Sequence, residues 1–268
     1  MKLSQVKLVV TDMDGTLLNS KSQVSPLFFN LFQKLQAHNI HFIAASGRQY
    51  FSIVEKLETI KDEITIIAEN GGITRRGDQE LAKMLLSKDK INSILPLLRT
   101  LDNVFIVLCG KNKAYIETQD LHFPKLLSEY YTEFNTVKDL TEVNDDEFLK
   151  IAIYHTENSE KFIYPHVKHL ENELQIKVSG EHWLDISHHD ANKGFALKLV
   201  QEELGISEDE TMVFGDYNND LEMLERAYFS YAMANAHPNV KKVARFETKS
   251  NDEFGVETVL EQLIASKE

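Results

Sequence analysis

The chain has 268 residues, 43% hydrophobic and 26% charged, which is apolar material for one large or two modest domains and an ordinary charge content for a globular protein. Its net charge of −13, from 29 basic and 42 acidic residues, argues against non-specific binding to nucleic acid or anionic membranes, but a bound cation could still draw in a small anionic substrate. Cys109 is the only cysteine, which excludes an intramolecular disulfide framework and a cysteine zinc cluster; with no apolar run near the roughly 20 residues that span a bilayer and no room for a signal peptide before the first strand, a cytoplasmic location is expected.

In chain order, residues 6–11 predict a buried strand. Ser25-Pro26 predicts a helix start, continued by Leu27, Leu31 and Leu35 with Phe28 and Phe32 on one apolar face. Residues 42–45 and 64–68 predict two more short buried strands, so this part reads as βαβ units on a parallel sheet. The middle reads differently. Residues 104–108 and 114–117 predict a hairpin around 110–112, residues 121–131 a helix, 148–155 a strand and 159–174 a long helix. A second hairpin joins 176–179 to 182–187 around Gly180-Glu181. The end returns to the first rhythm. A helix over 193–203 stops at Gly205, strands follow at 212–214 and 228–233 about a helix over 219–227, and a helix carrying Val256, Val259, Leu260 and Leu263 closes the chain. The fold class is therefore α/β, a Rossmann-like parallel-sheet core with an inserted α+β unit. Core residues are 1–82 and 190–268, and the insertion is 83–189.

Four segments carry chemistry. Asp12-Met13-Asp14-Gly15-Thr16-Leu17-Leu18 follows the first strand. Its two carboxylates lie two residues apart, where like charges repel unless a cation or proton sits between them. Ala45-Ser46-Gly47-Arg48 follows the second strand, Asn192-Lys193-Gly194 opens a helix, and Gly215-Asp216-Tyr217-Asn218-Asn219-Asp220 follows a late strand. Singly each has a plain structural explanation: a cap, a turn, a solvated lysine, an ordinary loop. Together they bring carboxylates and a hydroxyl at three strand C-termini, where open α/β sheets bind ligands, to one edge of the sheet with a lysine that opens a helix. That is the inventory of phosphoryl transfer.

These segments resemble, in order, the four motifs of the haloacid dehalogenase superfamily of phosphatases. The first is similar to its Asp-x-Asp-Gly-Thr signature. Asn70-Gly71-Gly72 and Asn251-Asp252-Glu253-Phe254-Gly255-Val256 are similar to stretches of its Cof-type branch. The insertion between the second and third motifs resembles the C2B cap of that branch, and the whole pattern looks most like its bacterial sugar phosphatases.

The resemblance implies Asp12 as nucleophile, forming an aspartyl-phosphate, and Asp14 as general acid and then base. It implies Mg²⁺ held by Asp12, the backbone carbonyl of Asp14 and Asp216, with Asp220 supporting that shell or orienting Lys193. Ser46, Gly47, Lys193 and Asn219 would hold phosphate oxygens. The implied substrate is a small phosphorylated metabolite, most of all a sugar phosphate, and the protein is expected as a monomer or weak homo-oligomer. A phosphomutase using the same phospho-Asp chemistry is an alternative. A receiver-like phospho-acceptor switch is disfavoured by Asp14 and by the inserted cap.

The cap is expected to close over the phosphate site, with hinges near 79–87 and 187–192. Trp183, Cys109, Tyr130-Tyr131 and His188-His189 are read as packing or surface residues, and Arg48 is left outside the catalytic set.

Overall fold

The computed structural model describes residues 2–268. Strand β1 (Leu8–Asp12) is buried along its whole length, as a strand covered on both faces must be. Helix α1 (Pro26–Ala37) begins where the Ser25 hydroxyl accepts from the Phe28 amide, and it buries Phe28, Leu31, Phe32 and Leu35. Next come β2 (His41–Ala45), α2 (Tyr50–Lys56), β3 (Thr65–Ala68), β4 (Ile73–Arg76) and β5 (Gln79–Lys83).

The chain then leaves for a second layer. It runs through α3 (Lys88–Leu98), β6 (Val104–Gly110), β7 (Ala114–Ile116), α4 (Phe123–Leu127), β8 (Phe134–Thr136) and β9 (Phe148–His155), then α5 (Ser159–Phe162), α6 (Tyr164–Val167), β10 (Leu174–Val178) and β11 (Trp183–His188). It returns with α7 (Lys193–Leu204), β12 (Thr211–Gly215), α8 (Leu221–Leu224), β13 (Phe229–Ala232), α9 (Pro238–Val243), β14 (Phe246–Glu247) and α10 (Gly255–Ala265).

The first sheet has the order β14-β13-β12-β1-β2-β3-β4-β5 and is parallel from β14 to β3. Connections run one way from β1 to β3 and the other way from β12 to β14. The order therefore reverses between β1 and β12, which places a crevice at the ends of those two strands. The insertion folds into a second sheet, order β10-β11-β9-β6-β7-β8, antiparallel except for the β7–β8 pair. One face of it packs Ile151, Ile153, Leu184 and Ile186 against Ile91, Leu95 and Leu98 of α3. The other carries a smaller cluster around Val107, Cys109, Ala152, Phe123 and Tyr131. No helix among the described residues is long and apolar enough to cross a membrane.

Three elements differ from the sequence reading. The expected helix over 159–174 breaks into α5, α6 and a 3-10 segment (Lys168–Asn172), and Leu174 already begins β10. Pro165 lacks the amide that would continue the first turn into the second. The expected helix over 121–131 is α-helical only over α4. The Ser128 hydroxyl donates back to the Lys125 carbonyl, and Tyr131 turns inward onto Cys109. The first sheet is not wholly parallel, because the β4–β5 hairpin extends its edge antiparallel.

Candidate active site

All eight residues singled out in the sequence converge on the β1/β12 crevice. Asp12 ends β1 with 5% of its surface exposed. Lys193, the first residue of α7, is fully buried; its Nζ donates to Asp12 Oδ1 at 2.5 Å and to Asp220 Oδ1 at 2.7 Å. Asn192 caps that helix by accepting from the Phe195 amide at 2.7 Å, which fixes where Lys193 begins. The other Asp220 oxygen accepts from the amides of Asp216 and Tyr217, at 2.9 and 3.1 Å. Both Asp220 oxygens are thus engaged by the protein.

Asp216, just past β12, accepts from the Thr16 hydroxyl at 3.1 Å. Its carboxylate packs onto Gly15, where a Cβ would stand 2.3 Å from Asp216 Oδ2. Gly15 also has a φ of +76°, so only glycine fits the turn comfortably. The Ser46 hydroxyl accepts from the Arg48 amide at 3.1 Å, and Asn219 Nδ2 donates to Asn70 Oδ1 at 3.0 Å.

A cavity of about 410 Å³ opens above these groups. Asp12, Asp14, Ser46, Gly47, Asp216 and Asn219 line it from the first sheet, whereas Lys193 and Asp220 sit behind its floor. Six acidic residues line it, Asp12, Asp14, Glu129, Glu181, Asp185 and Asp216, beside the basic Arg48 and Lys150.

Electrostatics at the floor favour a cation. Burial, most of all, pushes Asp12 up to about 7; Lys193 opposes this, and the charges of Asp220 and Asp14 add to it. Asp216 is raised well above the ordinary carboxylate range, by burial first and then by Asp12 and Asp220. Burial pulls Lys193 down, but the charges of Asp12 and Asp220 and its bonds to both hold it above its ordinary value. One ammonium therefore serves three acids. Oxygens of Asp12, Asp216 and Asp220 lie within 4.8 Å of one another, and this all-oxygen, acid-rich set fits a hard divalent ion such as Mg²⁺. Because the Asp220 oxygens are already engaged, Asp12 and Asp216 are the fitting ligands.

Several residues outside that set also reach the cavity. Arg48 is 4% exposed and grips Asp14 with two bonds; a third nitrogen donates to the Glu129 carbonyl and the Ser52 hydroxyl, and the guanidinium stands 5.2 Å from the Tyr130 ring centroid. Tyr130, Tyr154 and Trp183 line the roof of the cavity. The Trp183 ring meets those of Tyr130 and Tyr154 edge to face, at 5.4 and 5.1 Å. Trp183 is thus a half-buried wall of the cavity as well as a packing residue. Lys150 and Asp185 also reach the cavity, both almost wholly buried. A signal for these was present: Lys150, Ala152 and Tyr154 alternate with Ile151 and Ile153, and Trp183 and Asp185 alternate with Leu184 and Ile186, so each strand has one face out of keeping with a plain core. His188 and His189 are not among the lining residues, and Cys109 is buried.

Comparison with known proteins shows the family and the fold. The family model for haloacid dehalogenase-like hydrolases matches residues 9–260. The 5-amino-6-(5-phospho-D-ribitylamino)uracil phosphatase YbjI of Escherichia coli (strain K12) is 32% identical over 97% of this chain and 96% of its own. Among solved structures, SMU.1108c from Streptococcus mutans UA159 superposes with a TM-score of 0.91 at 31% identity, covering 97% of this chain and 99% of that one. The subclass IIB sugar phosphatase BT4131 superposes with a TM-score of 0.82 over 96% of this chain and 98% of its own; at 21% identity it speaks to the fold alone.

Proposed function

This chain belongs to the haloacid dehalogenase-like hydrolase family and is a phosphatase of that family; from that premise we propose that it is a cytoplasmic, Mg²⁺-dependent phosphomonoesterase for sugar phosphates and related small metabolites. The reading rests above all on the unlike settings of two neighbouring carboxylates. Asp12 is buried and locked to Lys193 on the cavity floor, whereas the Asp14 side chain is 46% exposed and faces the cavity from the turn above.

Asp12 attacks phosphorus in line; the bond to the ester oxygen breaks, and Asp14, once it has left one prong of the Arg48 fork and taken up a proton from solvent, gives that proton to the ester oxygen. In the second half, Asp14 takes a proton from water as the water attacks the phosphorus of the aspartyl-phosphate, which releases phosphate and restores Asp12. Ser46, the Gly47 amide and Asn219 hold the phosphoryl oxygens, while Lys193, which the sequence reading placed among them, lies behind the floor and offsets their charge through Asp12. Asp12, Asp216 and the Asp14 carbonyl would hold Mg²⁺, which when bound offsets the charge of the acids and of the phosphoryl group. The inserted sheet, over residues 83–189, roofs the site and excludes water from the first step.

The relative from Escherichia coli is named for a substrate with a phosphoribityl chain on a uracil ring. Ring-bearing sugar-alcohol phosphates therefore belong in the substrate class, with the ring against Trp183 and Tyr154. A phosphomutase would need to seat a second phosphate. Among the described residues lining the cavity the only lysine and arginine, Lys150 and Arg48, are already paired with carboxylates, so hydrolysis is favoured. The test is phosphate release from a panel of sugar phosphates, ribityl phosphates, nucleotides and cofactor phosphates with Mg²⁺, using Asp12→Asn as control. Release by the wild type and none by Asp12→Asn is expected; equal rates would remove Asp12 as nucleophile.

A further inference from the structure

Two groups of the phosphate cradle, the Gly47 loop and the Asn219 amide, come from different strand ends of the first sheet, yet one chain of bonds through the inserted sheet joins them. Lys150 of β9 donates to the Gly47 carbonyl at 2.8 Å and to Asp185 Oδ2 at 3.1 Å. Asp185 of β11 accepts on the same oxygen from Asn70 Nδ2 at 2.5 Å. Asn70 Oδ1 in turn accepts from Asn219 Nδ2 at 3.0 Å. Glu69 stands beside the chain, its Oε2 3.0 Å from Lys150 Nζ in an ion pair whose angle is outside hydrogen-bond geometry.

Resting on the phosphatase reading above, we infer that Lys150 and Asp185 are positioning residues through which the inserted sheet sets the phosphate cradle, Lys150 by holding the Gly47 carbonyl and Asp185 by holding Asn70 against Asn219.

The chain of bonds is a poor device for stability alone. It buries a lysine and two carboxylates, each 3% exposed or less, and such clusters are often matched or exceeded in stability by apolar replacements. Its backbone leaves the usual region where it meets the first sheet: Glu69 takes a φ of 52°, which residues with a Cβ seldom adopt, and Asn70 one of 53°, which asparagine tolerates better. That conformation aims one amide both ways, its nitrogen at the roof and its oxygen at Asn219. Gly47 is tied into the same contact, since a Cβ there would stand 3.1 Å from Asn70 Nδ2. Holding the Gly47 carbonyl fixes the peptide planes of a loop whose amides face phosphate, so a bond made from the roof is felt on the floor. By linkage, phosphate bound in the cradle must tighten the same contacts in return.

The experiment measures binding of inorganic phosphate, with Mg²⁺ present, by calorimetry on the full chain. Lys150→Met and Asp185→Ala are each expected to weaken phosphate about tenfold, the worth of roughly one well-placed bond. Asp185→Asn keeps an acceptor for Asn70 and is expected to recover most of the loss. In the double variant Asp185→Ala/Asn219→Ala the losses should fall short of multiplying, because one residue acts through the other. Folded variants that bind phosphate within twofold of wild type, or losses that multiply in full, overturn the inference. Should the truncated variants not fold, hydrogen exchange on the wild type decides: phosphate is expected to protect the strands holding Lys150 and Asp185 as well as the loops at 46–48 and 216–220, and protection of the loops alone overturns it. A wild type that neither binds phosphate nor releases it from any ester fails the phosphatase reading itself, a result distinct from all of these.

Discussion

Arg48 closes a two-pronged ion pair on Asp14, with Nε donating to Oδ2 at 2.7 Å and Nη2 to Oδ1 at 2.6 Å. Its remaining nitrogen donates to the Glu129 carbonyl of the inserted layer at 2.7 Å. The proposed proton carrier is thus held by a side chain that also touches the roof. A planar fork holds both the position and the plane of a carboxylate, which an ammonium cannot do. Arg48→Lys is therefore expected to lower kcat by about 10- to 100-fold, the scale of a small misplacement of a reacting group, with inorganic phosphate binding as in wild type. Steady-state kinetics beside phosphate inhibition would check this, and an unchanged kcat would show that the fork is not needed.

Asp14→Asn should slow turnover by about 10²–10⁴, the usual worth of a general acid or base. The amide oxygen can still accept one of the two Arg48 bonds, so the fold and phosphate affinity should survive. Single-turnover measurements separate the two halves of the reaction, and both are expected to slow. Wild-type rates in both would take the proton-transfer role from Asp14.

Local rules carried much of the architecture. The buried runs at β1, β2, β3 and β12, the Ser25-Pro26 helix start and the Gly205 stop follow from periodicity and backbone preference, and the strand-end motifs lie in short contiguous segments. What escaped was set by distance in sequence. Arg48 sits next to Ser46 and Gly47, but nothing local says that its side chain reaches 34 residues back to Asp14 and 81 forward to Glu129. Lys150 and Asp185 meet only because β9 and β11 pair in register, with Asp185 opposite Ala152. The β4–β5 hairpin and α3 lacked strong cues, since β5 is largely solvent-facing and Pro96 lies inside α3. Helix α3 is held by packing Ile91, Leu95 and Leu98 beneath the second sheet.

Trp183 offers a test of the roof that leaves the floor alone. It lines the cavity between Tyr130 and Tyr154 and touches none of the phosphate groups described above. Trp183→Leu should raise KM for ring-bearing phosphates by about fivefold, in line with roughly 1 kcal/mol for an aromatic contact, while inhibition by inorganic phosphate stays constant. A uniform rise across ring-bearing and ring-free substrates would instead mean that the change disturbs the whole cavity.

Gly15 admits no side chain. A Cβ would stand 2.3 Å from Asp216 Oδ2, and the residue has φ +76°. Gly15→Ala should cost about 1–2 kcal/mol of stability from backbone strain and should push Asp216 away from Asp12. Activity is then expected to fall further than thermal stability does, with a higher Mg²⁺ concentration needed for half-maximal rate. An unchanged Mg²⁺ requirement would mean that Asp216 is not a ligand.

The acids on the floor should make the metal-free protein lose stability as pH rises. Asp12 is pushed up to about 7 from an ordinary value near 3.8, and Asp216 is raised as well. Between the unfolded and folded values the native state keeps a proton that the unfolded chain has released. Raising pH through that window therefore favours unfolding, by up to about 1.4 kcal/mol per pH unit for one such group. Above the folded value the group is ionised in both states and the slope it contributes vanishes. In chelator, Tm should fall from pH 5 to pH 7. With millimolar Mg²⁺ the ionised acids gain a partner, so the fall should flatten and Tm at pH 7 should rise. Parallel melting curves with and without Mg²⁺ would show that the ion does not bind at these acids.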